Sequence, residues 1–134
     1  MRPHVLIVED SALVVGALRL LLEETGHRVS AAACVRDAVS ATRQERPDVM
    51  LLDLTLRDEN GLAVLDELRR TNDAPRVTVA VTGHDEPDVR ERCLRAGCRE
   101  VLVKPINALE LPRQIGRWLG EGEETGQPEV DRRP

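Results

Sequence analysis

An α/β fold with a doubly wound, five-stranded parallel sheet is what the sequence predicts, and three observations predict it. Five short apolar runs alternate with five helix-period segments across residues 4–119. The runs are apolar throughout instead of every second residue, the pattern of strands covered on both faces by right-handed crossover helices. The residues that close four of these runs are carboxylates, a threonine and a lysine, the kind of groups that meet a ligand outside the carboxyl edge of an open sheet.

Each element has its own signal. His4–Val8 is the first strand, ending in Glu9-Asp10. Ser11 is placed to cap a helix with apolar positions at Leu13, Ala17, Leu20 and Leu21, which ends near Gly26. Arg28–Ala32 is a weaker second strand; Val35, Ala38, Val39 and Thr42 then repeat at helical spacing until Pro47. Val49–Leu52 is the third strand, with Asp53 at its end, and the polar segment Leu54–Asn60 reads as a turn before Gly61. Leu62, Leu65 and Leu68 mark the third helix, and Val77–Val81 the fourth strand, closing in Thr82-Gly83. Pro87–Ala96 is helical but poor in apolar residues, so it is expected to be the most loosely held helix. Val101–Val103 is the fifth strand, ending in Lys104-Pro105, and Leu111, Ile115, Trp118 and Leu119 belong to the last helix. From Gly120 the composition turns to Gly, Glu, Pro and Arg without a period, so residues 1–119 are expected to form one domain and residues 120–134 a disordered acidic tail.

Composition removes several function classes. A net charge of −5 lacks the basic face that nonspecific nucleic-acid binding needs, and with no Phe or Tyr there is no aromatic platform for bases. No apolar run reaches the roughly 20 residues of a membrane span, and the N-terminus enters a strand too early for a signal peptide. Cys34, Cys93 and Cys98 have the spacing of neither a disulfide framework nor a zinc site; they read as buried thiols of a reduced cytoplasm.

The strand ends bring together Glu9, Asp10, Asp53, Thr82 and Lys104. Three carboxylates in one place repel one another unless a cation lies between them. Their oxygens suit a hard ion such as Mg²⁺ (or Mn²⁺), which keeps several waters and shares its shell with phosphate oxygens. Lys104 is the single Lys among 19 basic residues. Its compact ammonium can pair with a carboxylate and follow a phosphoryl oxygen, which the wide fork of Arg cannot do in the same way. The Thr82 hydroxyl is placed to donate to such an oxygen. Asp53 is therefore the candidate phosphoryl acceptor.

The chain resembles a response-regulator receiver domain, the phosphoacceptor module of two-component signalling. The resemblance covers about residues 4–119 and is carried by residues 5–11, 48–54, Asn60-Gly61, 79–84, 95–98 and 101–105, in order and at family-like spacing. It implies the flavodoxin-like strand order 2-1-3-4-5, with Asp53 phosphorylated by a cognate histidine kinase or phosphotransfer protein. It further implies that Asp10 holds Mg²⁺ directly, Glu9 through water, and that the backbone carbonyl of Thr55 completes the protein's share of the shell. Thr82 and Lys104 would engage the phosphoryl group, and the Lys104–Pro105 peptide is expected to be cis. Output is expected through the face of helix 4, strand 5 and helix 5, from a cytoplasmic monomer or weak homodimer that catalyses only its own phosphorylation and dephosphorylation.

Three positions depart from the family pattern. Val101 stands where the family's switch aromatic is usual, so readout is expected to shift toward helix 4 and the loop around Thr82–Glu86, or to a changed dimer contact. Leu56-Arg57 replaces the common Met-Pro, which alters the stiffness of the loop after Asp53. His84 and the Thr55 side chain lie near the expected phosphoryl position and are candidates to tune acyl-phosphate hydrolysis, although an exposed loop histidine is the simpler reading of His84. An aspartyl-phosphate hydrolase of the haloacid dehalogenase type needs a second Asp where Thr55 stands. A flavodoxin-like electron carrier would find Glu9-Asp10 repelling its phosphate, and a pseudo-receiver would lack one of Asp53, Asp10 or Lys104. The sequence is equally compatible with a stand-alone regulator, a relay intermediate, or a domain cut from a hybrid kinase or longer regulator.

Overall fold

A computed structural model describes residues 2–123, with side chains described to residue 120. In chain order the elements are β1 (His4–Val8), α1 (Ala12–Glu24), β2 (Arg28–Ala32), α2 (Val35–Gln44), β3 (Val49–Asp53), β4 (Thr55–Leu56), β5 (Glu59–Asn60), α3 (Leu62–Arg70), β6 (Val77–Thr82), α4 (Pro87–Arg95), β7 (Glu100–Val103) and α5 (Leu111–Glu123). The five-stranded sheet has the order β2-β1-β3-β6-β7, all pairs parallel. Counting its strands alone, this is the expected 2-1-3-4-5. The order reverses direction at β1, so the crevice at the carboxyl ends of β1 and β3 is where such a sheet receives a ligand.

Every residue of β1, β3 and β6 is buried, which is why these strands are apolar on both sides. One core layer packs Leu6, Met50, Leu52 and Ala80 against Ala38, Val39, Leu65 and Leu68 of α2 and α3. The opposite layer packs Val5, Ile7, Leu51 and Val79 against Leu18, Leu22, Leu111, Ile115 and Trp118 of α1 and α5. Each fully buried Leu or Ile contributes roughly 1.5–3 kcal/mol relative to exposure. The two layers clamp β1 and β3 from both sides and fix where their ends point.

Local signals account for the boundaries. The Ser11 side chain accepts the Val14 N–H and starts α1; Gly26, at φ 92°, takes the left-handed conformation that ends it. The Cys34 sulfur accepts from the Asp37 N–H at the start of α2, so this thiol is a half-exposed cap and not a buried group as expected, whereas Cys93 and Cys98 are buried.

Three further expectations need correction. α1 turns Leu18 and Leu22 to the core and leaves Leu13 and Leu20 exposed. That helix is apolar nearly all round, so its periodicity does not select a face. The segment Leu54–Asn60 is not merely a turn: Thr55 pairs with Asn60 and Leu56 with Glu59 in a short antiparallel hairpin, anchored by the fully buried Leu56. The last helix runs past residue 119 to Glu123, and the tail expected from there lies otherwise outside the described residues.

Candidate functional site

The ends of β1, β3, β6 and β7 converge on one edge, bringing together the five side chains singled out in the sequence. One carboxylate oxygen from each of Glu9, Asp10 and Asp53 lies within 4.8 Å of the others. Asp53 is the most enclosed, at 3% exposed. Its Oδ1 accepts the Thr55 N–H at 3.0 Å, and its Oδ2 accepts from Lys104 Nζ at 3.0 Å. Lys104 also reaches Glu9 Oε1 at 3.8 Å, so one ammonium spans two of the three acids. Glu9 Oε2 accepts the Ser11 N–H at 3.1 Å, which ties the acid to the start of α1.

The electrostatics follow from this packing. Burial is the main influence pushing the Glu9 carboxyl above its ordinary value; the Ser11 bond opposes it, while the contact with Asp53 and its charge add to it. For Lys104 burial acts to lower the value, but the hydrogen bond to Asp53 and the charges of Asp53, Glu9 and Asp10 outweigh it and the net shift is upward. The ammonium is thus held charged. The donor set fits a hard divalent ion: three clustered carboxylates carry more negative charge than one lysine neutralises, and all offer oxygen.

The remaining expected residues surround this centre. Thr82 is buried at the end of β6, and its Oγ1 accepts the His84 N–H at 3.0 Å, leaving the hydroxyl proton available to donate elsewhere. Thr55 and His84 are exposed and line one cleft with Thr82, Arg57 and Arg92. The Lys104–Pro105 peptide is cis. Val101 is buried in the core layer beneath α4.

Two contributors escaped a purely sequence-based assignment of roles. A Cβ on Gly61 would lie 2.0 Å from the Asp53 carbonyl oxygen, so only glycine lets the chain pass behind Asp53. The Asn60-Gly61 pair marked the place without giving this reason. Arg57 occupies the hairpin turn at φ 46° and pairs with Asp10, Nε to Oδ2 3.8 Å. A positively charged residue in an acidic loop was the only hint.

This sheet, with an acidic triad and a lysine at its carboxyl edge, defines a receiver-type signalling module. The chain belongs to the response regulator receiver domain family, whose model matches residues 5–115. It is 34% identical over 121 residues to the transcriptional regulatory protein AfsQ1 of Streptomyces coelicolor, covering 90% of this chain and 53% of that protein. It is 33% identical over 117 residues to protein PilH of Pseudomonas aeruginosa, covering 87% of this chain and 97% of that one. The sensor histidine kinase AruS of the same species matches at 40%, over 84% of this chain but only 12% of its own length. The chain thus spans about half of AfsQ1, a small part of AruS and nearly all of PilH. Among solved structures, the receiver domain of a LuxO repressor homologue from Vibrio parahaemolyticus superposes with a TM-score of 0.84 at 26% identity, covering 98% of this chain and all of that one. The receiver domain of a Pseudomonas aeruginosa sensor histidine kinase, solved with a magnesium ion coordinated in its active-site cleft, superposes at 0.78 with 30% identity, covering 90% and 99%. Receiver domains are signalling modules of two-component systems and not enzymes in the ordinary sense. No helix among the described residues is long and apolar enough to cross a membrane.

Proposed function

We propose that Asp53 accepts a phosphoryl group from a phosphohistidine on a cognate kinase or phosphotransfer protein, in a site that holds Mg²⁺. The observation that carries the reading is the buried Asp53 carboxylate, hydrogen-bonded to the chain's single lysine and clustered with Glu9 and Asp10. Asp10 and Asp53 are the direct metal ligands in this reading, with Glu9 acting through water and the Thr55 backbone carbonyl completing the set. When bound, the metal neutralises charge on the transferring group.

The chain's own residues do the rest by position and charge. A carboxylate oxygen of Asp53 attacks phosphorus, the donor's P–N bond breaks, and the imidazole leaves with its electron pair and takes up a proton. Thr55 holds the other orientation of the carboxylate fixed through its N–H. Lys104 is already 3.0 Å from Asp53, so its charge needs little reorganisation to follow the phosphoryl oxygens. Thr82 donates its free hydroxyl proton to the phosphoryl group and draws the loop of residues 82–86 with it. This shifts a two-state equilibrium of the surface made by α4, β7 and α5, where a downstream protein binds. With Val101 in place of an aromatic, the loop and α4 carry the change.

Incubation with acetyl phosphate and Mg²⁺ is expected to add one phosphoryl group to the wild type and none to Asp53→Asn. Undiminished labelling of that variant would overturn the assignment. The coverage of AfsQ1 and AruS supports a second reading of the context, in which the same module acts as a domain of a longer regulator or hybrid kinase. The acceptor chemistry is unchanged by it.

A further inference from the structure

Arg57 is conspicuous on two counts. It is the first residue of the two-residue turn, Arg57-Asp58, that joins β4 to β5, and its φ is 46°. That backbone region suits Gly, and side chains such as Asn tolerate it far better than Arg. A backbone outlier beside a candidate site calls for a functional reason. The second count supplies one: from this turn the side chain extends to Asp10, with Nε 3.8 Å from Oδ2.

Charge is thereby divided within the acidic triad. Lys104 pairs with Asp53 and Glu9, and Arg57 pairs with the third acid, Asp10. The two cations are held very differently. Lys104 is fixed by two carboxylates, one of them 3% exposed, whereas the Arg57 side chain is 78% exposed and makes its pair at longer range. A divalent ion entering the triad must therefore displace Arg57 in preference to Lys104. Asp10 itself is 23% exposed, so the approach lies on the solvent side, where the guanidinium sits.

We propose that Arg57 is a tethered counter-cation for Asp10, which competes with divalent metal and sets the metal concentration at which the acceptor site fills. This rests on the metal reading given above. Arg57 is a positioning residue here, acting on the metal through Asp10.

The test is an Mg²⁺ titration of the full chain by calorimetry and by backbone amide shifts, for the wild type, Arg57→Asn, Arg57→Lys and Asp10→Asn. Arg57→Asn removes the charge and fits the turn; it is expected to tighten Mg²⁺ binding about fivefold, the factor corresponding to a unit charge pair near 4 Å in water. Arg57→Lys keeps the charge and the unfavourable backbone and is expected to stay near wild type. In the wild type, the Arg57 Nε resonance is expected to shift on saturation as the guanidinium leaves Asp10. Unchanged or weaker binding in Arg57→Asn, with binding lost in Asp10→Asn, overturns this inference and leaves the metal reading intact. Equal tightening in Arg57→Asn and Arg57→Lys overturns it, because the charge that Lys retains would then not be what opposes the metal. A wild type that takes up no Mg²⁺ overturns the metal reading and this inference together.

Discussion

Asp53 is 3% exposed and both its oxygens have partners, from Thr55 and Lys104, whereas α4 buries one residue, Cys93, and has no side chain capping its start. The helix of equal length in the same core layer, α3, buries Leu62, Val64, Leu65 and Leu68. Asp53, the proposed acceptor, is thus held by packing, glycine-only clearance and charge together. The flank proposed to carry the message is held by little apolar contact, so moving it costs little. Under the function proposed, a rigid place for chemistry and a cheap place for motion lie at opposite ends of one strand-to-loop connection, Thr82–Glu86.

The largest effect is expected at Lys104. Lys104→Ala is expected to slow phosphorylation of Asp53 by about 10²–10³-fold, the usual effect of removing one preorganised charge from a reacting centre. Rates of acetyl phosphate labelling check it; a loss below about tenfold would mean that the ammonium is not aimed at the transferring group. Next comes Gly61→Ala, which forces a Cβ against the Asp53 carbonyl and is expected to cost about 1–3 kcal/mol in denaturant unfolding, with acceptor function impaired in the folded fraction. On the loosely held side, Cys93→Ala is expected to cost only about 1 kcal/mol, since a small side chain leaves a small cavity. Amides of α4 are expected to exchange with solvent faster than those of α3, and equal protection would erase the contrast.

The smallest effect concerns pH. Glu9 has its carboxyl raised in the folded protein, mainly by burial, above an ordinary value of 4.5. The stability linked to its proton is therefore fully present below that value and is lost as pH rises through the higher folded value. The metal-free protein is expected to lose some thermal stability across that window, and Glu9→Gln to flatten the loss. Added Mg²⁺ should compensate in the wild type and much less in the variant. A metal-free Tm that rises steadily from about pH 4.5 in the wild type, and falls in Glu9→Gln, would contradict this.

The sequence made the sheet legible because buried parallel strands are apolar throughout, and made the site legible because its groups stand at the ends of those strands. Asp53, Glu9, Asp10, Thr82 and Lys104 meet at one edge for that reason alone. α1 was harder to orient, since apolar residues surround it and Leu18 and Leu22 carry no stronger signal than Leu13 and Leu20. The β4–β5 hairpin was hidden by its length: two residues per strand show no periodicity, and its turn lacks the glycine that announces such turns. The roles of Gly61 and Arg57 depend on distances across the loop, which spacing along the chain does not encode.

The contrast between a fixed acceptor and a loosely held flank is tested most directly by amide chemical shifts of the full chain, with and without beryllofluoride and Mg²⁺, alongside Asp53→Asn as control. Changes are expected at Asp53, at the loop of residues 82–86 and along α4, with α1 and α3 little affected and the control silent. Changes confined to α1, or the same changes in Asp53→Asn, would contradict it.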